Sequence, residues 1–278
     1  MAYHNGWFYL FFSAFYHDAG RERSHVVGVK TKDFIKYSEP IINWRGKEEG
    51  WIGLCSPNVS KIGNKFYLTY NSWGDKSDKK NQLFYAVSNN LEDWQHAPLA
   101  RGITRKKRAI DAAIFFEKGK FILIYKEYQT TMVAWAEYLN GPWKIIGKVA
   151  GGMLWMENYQ LVSIGRIPRL ICTTKSDYPV MAAMDIEAVQ ELGAIKKWVA
   201  FMDFKELKIP KESFNTYGKV GNAPFLADWR ENDGYFYLLY AGKTEGKTHL
   251  KRGDNKLGVS RSKNLKDWSA PGTGSIKK

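Results

Sequence analysis

Short apolar runs, broken at intervals by a glycine turn, organise this chain. The recurring unit is an apolar strand, a turn, then an aromatic-rich strand: Gly6-Trp-Phe-Tyr-Leu, Gly63-Asn-Lys-Phe-Tyr-Leu, Gly119-Lys-Phe-Ile-Leu, Gly165-Arg-Ile-Pro-Arg-Leu and Gly234-Tyr-Phe-Tyr-Leu. Successive glycines lie 57, 56, 46 and 69 residues apart. Aromatic and β-branched enrichment around glycine turns predicts strands paired as hairpins, and the long internal period predicts a repeat architecture.

A second pattern follows three hairpins. Val29-Lys-Thr-Lys-Asp33-Phe, Val87-Ser-Asn-Asn-Leu-Glu-Asp-Trp94 and Val259-Ser-Arg-Ser-Lys-Asn-Leu-Lys-Asp-Trp268 each read as a third strand leaving through a polar turn toward an outer strand, with a shorter echo in Tyr138-Leu-Asn-Gly-Pro-Trp143. Five units of four strands predict an all-β, five-bladed β-propeller occupying residues 1–278 as one domain. The competing expectation is a β-sandwich. The fourth unit is the weakest copy: its second strand carries Pro168, and Met184 to Ala194 reads as a short helical turn.

Two carboxylates interrupt apolar runs, Asp111 in Ala109-Ile110-Asp111-Ala-Ala-Ile and Glu157 in Met153-Leu-Trp-Met-Glu157-Asn-Tyr. Each stands eight residues before its hairpin glycine, Gly119 or Gly165. The matching place in the first unit, counted back from Gly6, falls before Met1, so the inner strand of blade one is expected to be largely missing, together with a third carboxylate. Charge at the mouth of a low-dielectric channel is costly unless paired or functional. Arg108 is the candidate structural partner for Asp111.

In a propeller, inner-strand starts and second-strand exits gather at one end of the channel. The starts are Ser56-Pro57-Asn58, Asp111, Glu157 and Asn222; the exits are His17-Asp18, Trp73, Lys126-Glu127, Thr173-Thr174-Lys175 and Lys243. Carboxylates, amides, hydroxyls and rings suit a sugar, with Trp51, Trp73 and Trp155 as stacking candidates. Packing between blades is the alternative for each tryptophan.

Composition narrows the picture further. At 278 residues, 44% of them apolar, the chain is long enough to bury a substantial core. No apolar run approaches the roughly 20 residues that span a bilayer. No leader is visible, so the expected compartment is periplasmic or extracellular if one was removed and cytoplasmic otherwise. Cys55 and Cys172 are too few for a disulfide framework and read as buried thiols. The histidines are scattered, and neither a metal nor a cofactor is implied. The net charge of +14 concentrates in Arg105-Lys-Lys-Arg108, Lys76 to Lys80 and Lys243 to Lys256. These lie in turns, without any recognised nucleic-acid module, and solvated loops are the simpler reading.

At these residues the chain resembles the five-bladed glycoside hydrolases, most closely glycoside hydrolase family 43, with family 32 next. Tyr3-His4-Asn5-Gly6-Trp7-Phe8-Tyr9-Leu10 is similar to the family's second-strand pattern, Ile110-Asp111 followed by Gly119 to its central aspartate motif, and Glu157 before Gly165 to its acid glutamate. The resemblance implies a glycosidase acting on terminal arabinofuranosyl, xylosyl or related residues of oligo- or polysaccharides. Glu157 would be the general acid, and Asp111 would tune its pKa and hold sugar hydroxyls. A first-blade aspartate would be base or nucleophile; Asp18 is the nearest substitute here. His17, Trp51, Ser56, Asn58, Trp73, Lys126, Glu127, Trp155 and Asn222 would contact substrate. Two alternatives stand beside it: a non-catalytic carbohydrate-binding propeller, and a phosphorylase of the mannoside-phosphorylase kind in which Lys126, Lys175 and Lys243 hold phosphate.

Overall fold

A computed structural model of the chain describes residues 1–18, 20–46, 52–76, 78–148, 156–165, 167–174, 178–183, 199–203, 207–218, 220–221, 223–242 and 256–272. Among these, nineteen strands form five consecutive antiparallel units. The first unit is β1 (Ala2–His4), β2 (Trp7–Asp18), β3 (Arg21–Thr31) and β4 (Ile42–Arg45). The second is β5 (Gly53–Ile62), β6 (Lys65–Trp73), β7 (Leu83–Ser88) and β8 (Gln95–Pro98). The third is β9 (Ala109–Glu117), β10 (Lys120–Glu127), β11 (Thr130–Ala136) and β12 (Lys144–Lys148), and the fourth is β13 (Glu157–Ile164), β14 (Ile167–Thr174), β15 (Tyr178–Ala183) and β16 (Val199–Asp203). The fifth holds β17 (Phe225–Trp229), β18 (Tyr235–Ala241) and β19 (Leu257–Ser262), with Ser269 bridged to Arg261 in the outer place. The first two units share one hydrogen-bonded sheet through a single parallel bridge, Ser24 to Gly53. A Cβ at Gly53 would stand 1.8 Å from the Ser24 carbonyl oxygen, so only glycine allows that approach.

Strand alternation explains why the units form a ring. In β10, Ile122 and Ile124 pack toward Leu161 and Leu170 of the fourth unit. Leu123 and Tyr125 pack toward Leu83 and Leu99 of the second. Side chains at i and i+2 share a face, so a continuous apolar run means a sheet covered on both sides. The remaining cores join the first unit to the second (Phe11, Val26 with Val59, Leu68) and the fourth to the fifth (Ile164, Ile171 with Leu226, Leu238). A fifth core returns from Tyr237 and Leu239 to Met1 and Leu10. That closing contact distinguishes a five-bladed β-propeller from a sandwich, whose end sheets would each keep an uncovered face.

The polar exits of the third strands also fold alike. Asp33, Asn90 and Asn264 each accept two backbone N–H groups through Oδ1. The next residue, Phe34, Leu91 or Leu265, is left-handed (φ 59°, 68° and 63°). In the third unit Trp143 donates to the Leu139 carbonyl as Trp94 and Trp268 donate to those of Leu91 and Leu265. Blade one does have a short inner strand, of three residues. Pro168 does not break β14; it pairs with Ser163 one step from the hairpin. Met184 to Ala194 lies outside the described residues.

Candidate active site

The site is built on one backbone device repeated around the ring. At or just before the start of four of the five inner strands stands a residue in the left-handed region: Ser56 (φ 55°), Asp111 (φ 57°), Asn158 (φ 55°) and Ala223 (φ 52°). In β5, β9 and β13 the ladder register shifts there, so the residue is a bulge. Such a conformation costs about 1–3 kcal/mol outside glycine and re-aims the local N–H and side chain.

Each bulge N–H is received by the preceding blade. Ser56 N–H donates to Ser13 Oγ at 2.9 Å, Asp111 N–H to Asn71 Oδ1 at 3.0 Å, and Ala223 N–H to Thr173 Oγ1 at 3.3 Å. Ser13, Asn71 and Thr173 occupy one register position, six residues after the first residue of the second strand. The third blade has Lys126 at that position. An ammonium has no acceptor. The Asn158 N–H therefore donates instead to Asp111 Oδ2, at 3.2 Å, and Lys126 turns to Glu157, Nζ to Oε2 2.5 Å. The seam between blades three and four thus breaks the repeat, and there the two carboxylates meet.

Their positions correct the sequence expectation. Asp111 and Glu157 are equidistant from their glycines, but Gly119 directly precedes Lys120, the first residue of β10, whereas Gly165 directly follows Ile164, which pairs with Ile167. The strand equivalent of Asp111 is Asn158; Glu157 sits one step earlier, in the ladder opposite Thr173. The offset directs the Asp111 carboxylate forward to blade four and Glu157 back to blade three, into a single seam.

Asp111 is buried, with 6% of its surface exposed. Burial raises its pKa above the ordinary carboxyl value, and the Glu157 charge raises it further; hydrogen bonds from Ser56 and the Asn158 N–H, and the Lys126 charge, act in opposition. Arg108 is not its partner. Its Nε lies 2.7 Å from Asp75 Oδ2 instead, which removes that ion pair as the explanation for Asp111.

Other expected residues divide by surroundings. Ser56 bonds to Asp111 at the rim. Trp73 is two residues beyond Asn71 and makes an edge contact with Phe15, centroids 6.5 Å apart. Asn58 is buried and donates to the Tyr159 carbonyl across the ring, at 2.5 Å, tying blade two to blade four. Glu127 pairs with Lys107 at 3.0 Å. His17 and Asp18 stand exposed at the tip of a projecting hairpin, with Asp18 opposite Arg21. Asp18 is five residues beyond Ser13, roughly 16 Å of extended strand, and among the described residues no hydrogen bond or ion pair joins it to Asp111 or Glu157. Trp51, Trp155, Lys175, Asn222 and Lys243 lie outside the described residues. Among the described residues no cluster of three or more His, Cys, Asp or Glu is arranged to hold a metal. Cys55 and Cys172 are buried free thiols, and burial pushes Cys172 up to about 12.

Sequence reasoning missed Asn71, Asn158 and Tyr159. Asn71 fixes the Asp111 backbone. The Tyr159 hydroxyl donates to the Met156 carbonyl at 2.7 Å and lies 2.6 Å from Thr131 Oγ1, bracing the strand start beside Glu157. Counting from the hairpin pair rather than from the glycine would have found the first two.

No protein-family model matches the chain. It is 25% identical over 256 residues to the 1,2-beta-oligomannan phosphorylase of Thermoanaerobacter sp. (strain X514), spanning 86% of this chain and 83% of that one. A glycosyl hydrolase from Bacteroides ovatus matches 97% of the chain, and 84% of its own, with TM-score 0.65 and 15% identity. A structure described under a family of mannoside phosphorylases containing glycoside hydrolases that target beta-1,2 mannosidic linkages in Candida mannan matches 96% of the chain, and 84% of its own, with TM-score 0.64 and 16% identity. The structural likenesses show the propeller fold. No described helix is long and apolar enough to cross a membrane.

Proposed function

We propose that this chain breaks glycosidic bonds in β-1,2-linked manno-oligosaccharides with inorganic phosphate as acceptor, and that Asp111 protonates the leaving oxygen. The observation that carries the reading is the broken seam, where a buried carboxyl with a raised pKa lies beside a Lys126–Glu157 pair. A general acid must still hold its proton at working pH, and burial next to a second carboxylate has that effect. This exchanges the roles implied by the family 43 resemblance, in which Glu157 is the acid.

The step is simple in outline. The Asp111 carboxyl gives its proton to the glycosidic oxygen as the C1–O bond breaks and its electron pair stays on that oxygen. A phosphate oxygen bonds to C1, giving a sugar 1-phosphate and a shortened glycan. Lys126 supplies positive charge beside the acid, as an incoming phosphate requires. In this reading Ser56 bonds sugar hydroxyls and Trp73 stacks on a sugar face. The mannoside comes from the oligomannan phosphorylase relative, which the chain matches over most of both lengths.

Hydrolysis is the second reading, favoured by Glu157 as a second carboxylate able to activate water. Its substrates would include the arabinofuranosides and xylosides of the family 43 resemblance. Incubation with β-1,2-mannobiose, with and without phosphate, beside aryl arabinofuranosides and xylosides, separates the readings by product. Mannose 1-phosphate formed only with phosphate supports phosphorolysis. Free mannose or pentose formed equally without phosphate means hydrolysis, and sugar binding without turnover means a carbohydrate-binding propeller.

A further inference from the structure

We propose that a basic rim beside the site, at the seam of blades two and three, receives an anionic group carried on the glycan: a phosphate ester or a uronic carboxylate. Two loops build it, 74–82 and 99–108, both at the channel end where Asp111 lies. Gln82 clamps them together: its Nε2 donates to the carbonyls of Asn81, Thr104 and Lys107 at 3.1, 3.2 and 3.0 Å. Asp75 accepts the Asn81 N–H at 2.6 Å and pairs with Arg108, while Lys107 pairs with Glu127. Those contacts neutralise the two cations nearest the strand together with both facing carboxylates.

Lys79 aside, five cations remain: Lys76, Lys80, Arg101, Arg105 and Lys106. None has a carboxylate partner among the described residues. Lys76, Arg101, Arg105 and Lys106 are exposed; Lys80 is half-buried and donates to the Lys76 carbonyl at 3.2 Å. Arg101 and Arg105 are joined by the Arg105 N–H bond to the Arg101 carbonyl, so they stand one helical turn apart on one side. Asp78 is the sole acidic residue in the two loops besides the paired Asp75. A solvated loop would let like charges separate, but the Gln82 clamp holds the segments carrying these in place. Guanidinium forks with no carboxylate of their own, carried on a held backbone, fit phosphate and carboxylate oxygens. Arg105 is six residues before Asp111, and Glu127, which anchors the rim, adjoins Lys126, so an anion on a glycan held at the seam would meet this patch.

The inference rests on the carbohydrate reading above, and its test is a binding measurement that needs no turnover. Calorimetric affinity is measured for a phosphate-bearing manno-oligosaccharide, its dephosphorylated form and a mannuronate oligomer of equal length. The protein is the full chain and its R101Q/R105Q/K106Q variant, with Tm measured for both. A preference of about tenfold for a charged probe at low salt, lost in the variant and at about 0.5 M salt, supports the rim; the two charged probes tell phosphate from carboxylate. Cleavage of neutral mannobiose should be unchanged in the variant. Equal affinity for charged and neutral probes overturns the proposal, as does a preference surviving in a folded variant. A single-stranded oligonucleotide of equal charge binding as tightly as the glycan overturns it too. Should the triple variant lose its fold, Lys106→Gln and the wild-type salt series decide the same question. Absence of all cleavage would defeat the proposed reaction, whereas the rim stands or falls on the affinities alone.

Discussion

The seam between blades three and four and three of the other four seams use the same backbone and opposite chemistry. At those three a neutral acceptor, Ser13, Asn71 or Thr173, receives the left-handed residue's N–H from the next blade. At this one the acceptor position holds Lys126, the N–H is received by the Asp111 carboxylate, and the lysine pairs with Glu157. The first arrangement holds blades together and nothing more. The second does the same while also bringing together three titratable groups, of which Asp111 and Lys126 are buried and Glu157 is partly exposed, and that departure from the repeat is what the proposed function rests on.

The largest effect is expected from Asp111→Asn. The amide still accepts the Asn158 N–H through its oxygen but holds no transferable proton, so turnover should fall roughly a hundred- to ten-thousand-fold while the fold persists. Steady-state kinetics beside circular dichroism and Tm check this; a fall in Tm with activity intact would make Asp111 scaffolding like Asn71. Glu157→Gln comes next. Removing its charge takes away one cause of the raised Asp111 pKa and frees Lys126 to act on Asp111 alone. The alkaline limb of the pH–rate profile should move to lower pH, together with a loss of rate; an unmoved limb would mean the two carboxylates are not coupled.

Lys126→Thr tests the comparison from the other side by giving the odd seam the residue its neighbour has at Thr173. Turnover should fall while thermal stability is kept, since a hydroxyl can receive the Asn158 N–H. Ser13→Ala should do the reverse at an ordinary seam. It leaves the Ser56 N–H without its acceptor, costing about 1–3 kcal/mol in chemical denaturation, with kcat little altered. The smallest effect is on stability against pH. The folded protein keeps the Asp111 proton to higher pH than the unfolded chain, so it binds more protons between the two pKa values. Asp111's contribution to stability falls as pH rises through that window. The Tm difference between Asp111→Asn and wild type should accordingly shift in the variant's favour with rising pH; a pH-independent difference would contradict the raised pKa.

Much of this was legible in the sequence because it is local. Glycine hairpins, apolar strands covered on both faces and the Asn-Leu-x-Asp-Trp exits are each fixed by a few adjacent residues, and they reappear as five units. Asp111 and Glu157 were visible as charges interrupting apolar runs, and Lys126 as a second-strand exit. What was not legible depends on register. A glycine shifted by one place within the turn made Glu157 look equivalent to Asp111, when Asn158 is. Asn58, read as a sugar contact, donates to Tyr159 across the ring. Arg108, read as Asp111's partner, pairs with Asp75 from a different loop. Both contacts join residues far apart in the chain, beyond what spacing alone can assign.

Whether Asp111 is the acid is decided by a pH titration of its carboxyl, followed as the infrared difference between wild type and Asp111→Asn. A protonated carboxyl band should persist above the ordinary aspartate range and disappear in step with the alkaline limb of cleavage. A carboxylate already ionised at its ordinary value of about 3.9, with activity continuing far above it, would contradict Asp111 as the acid.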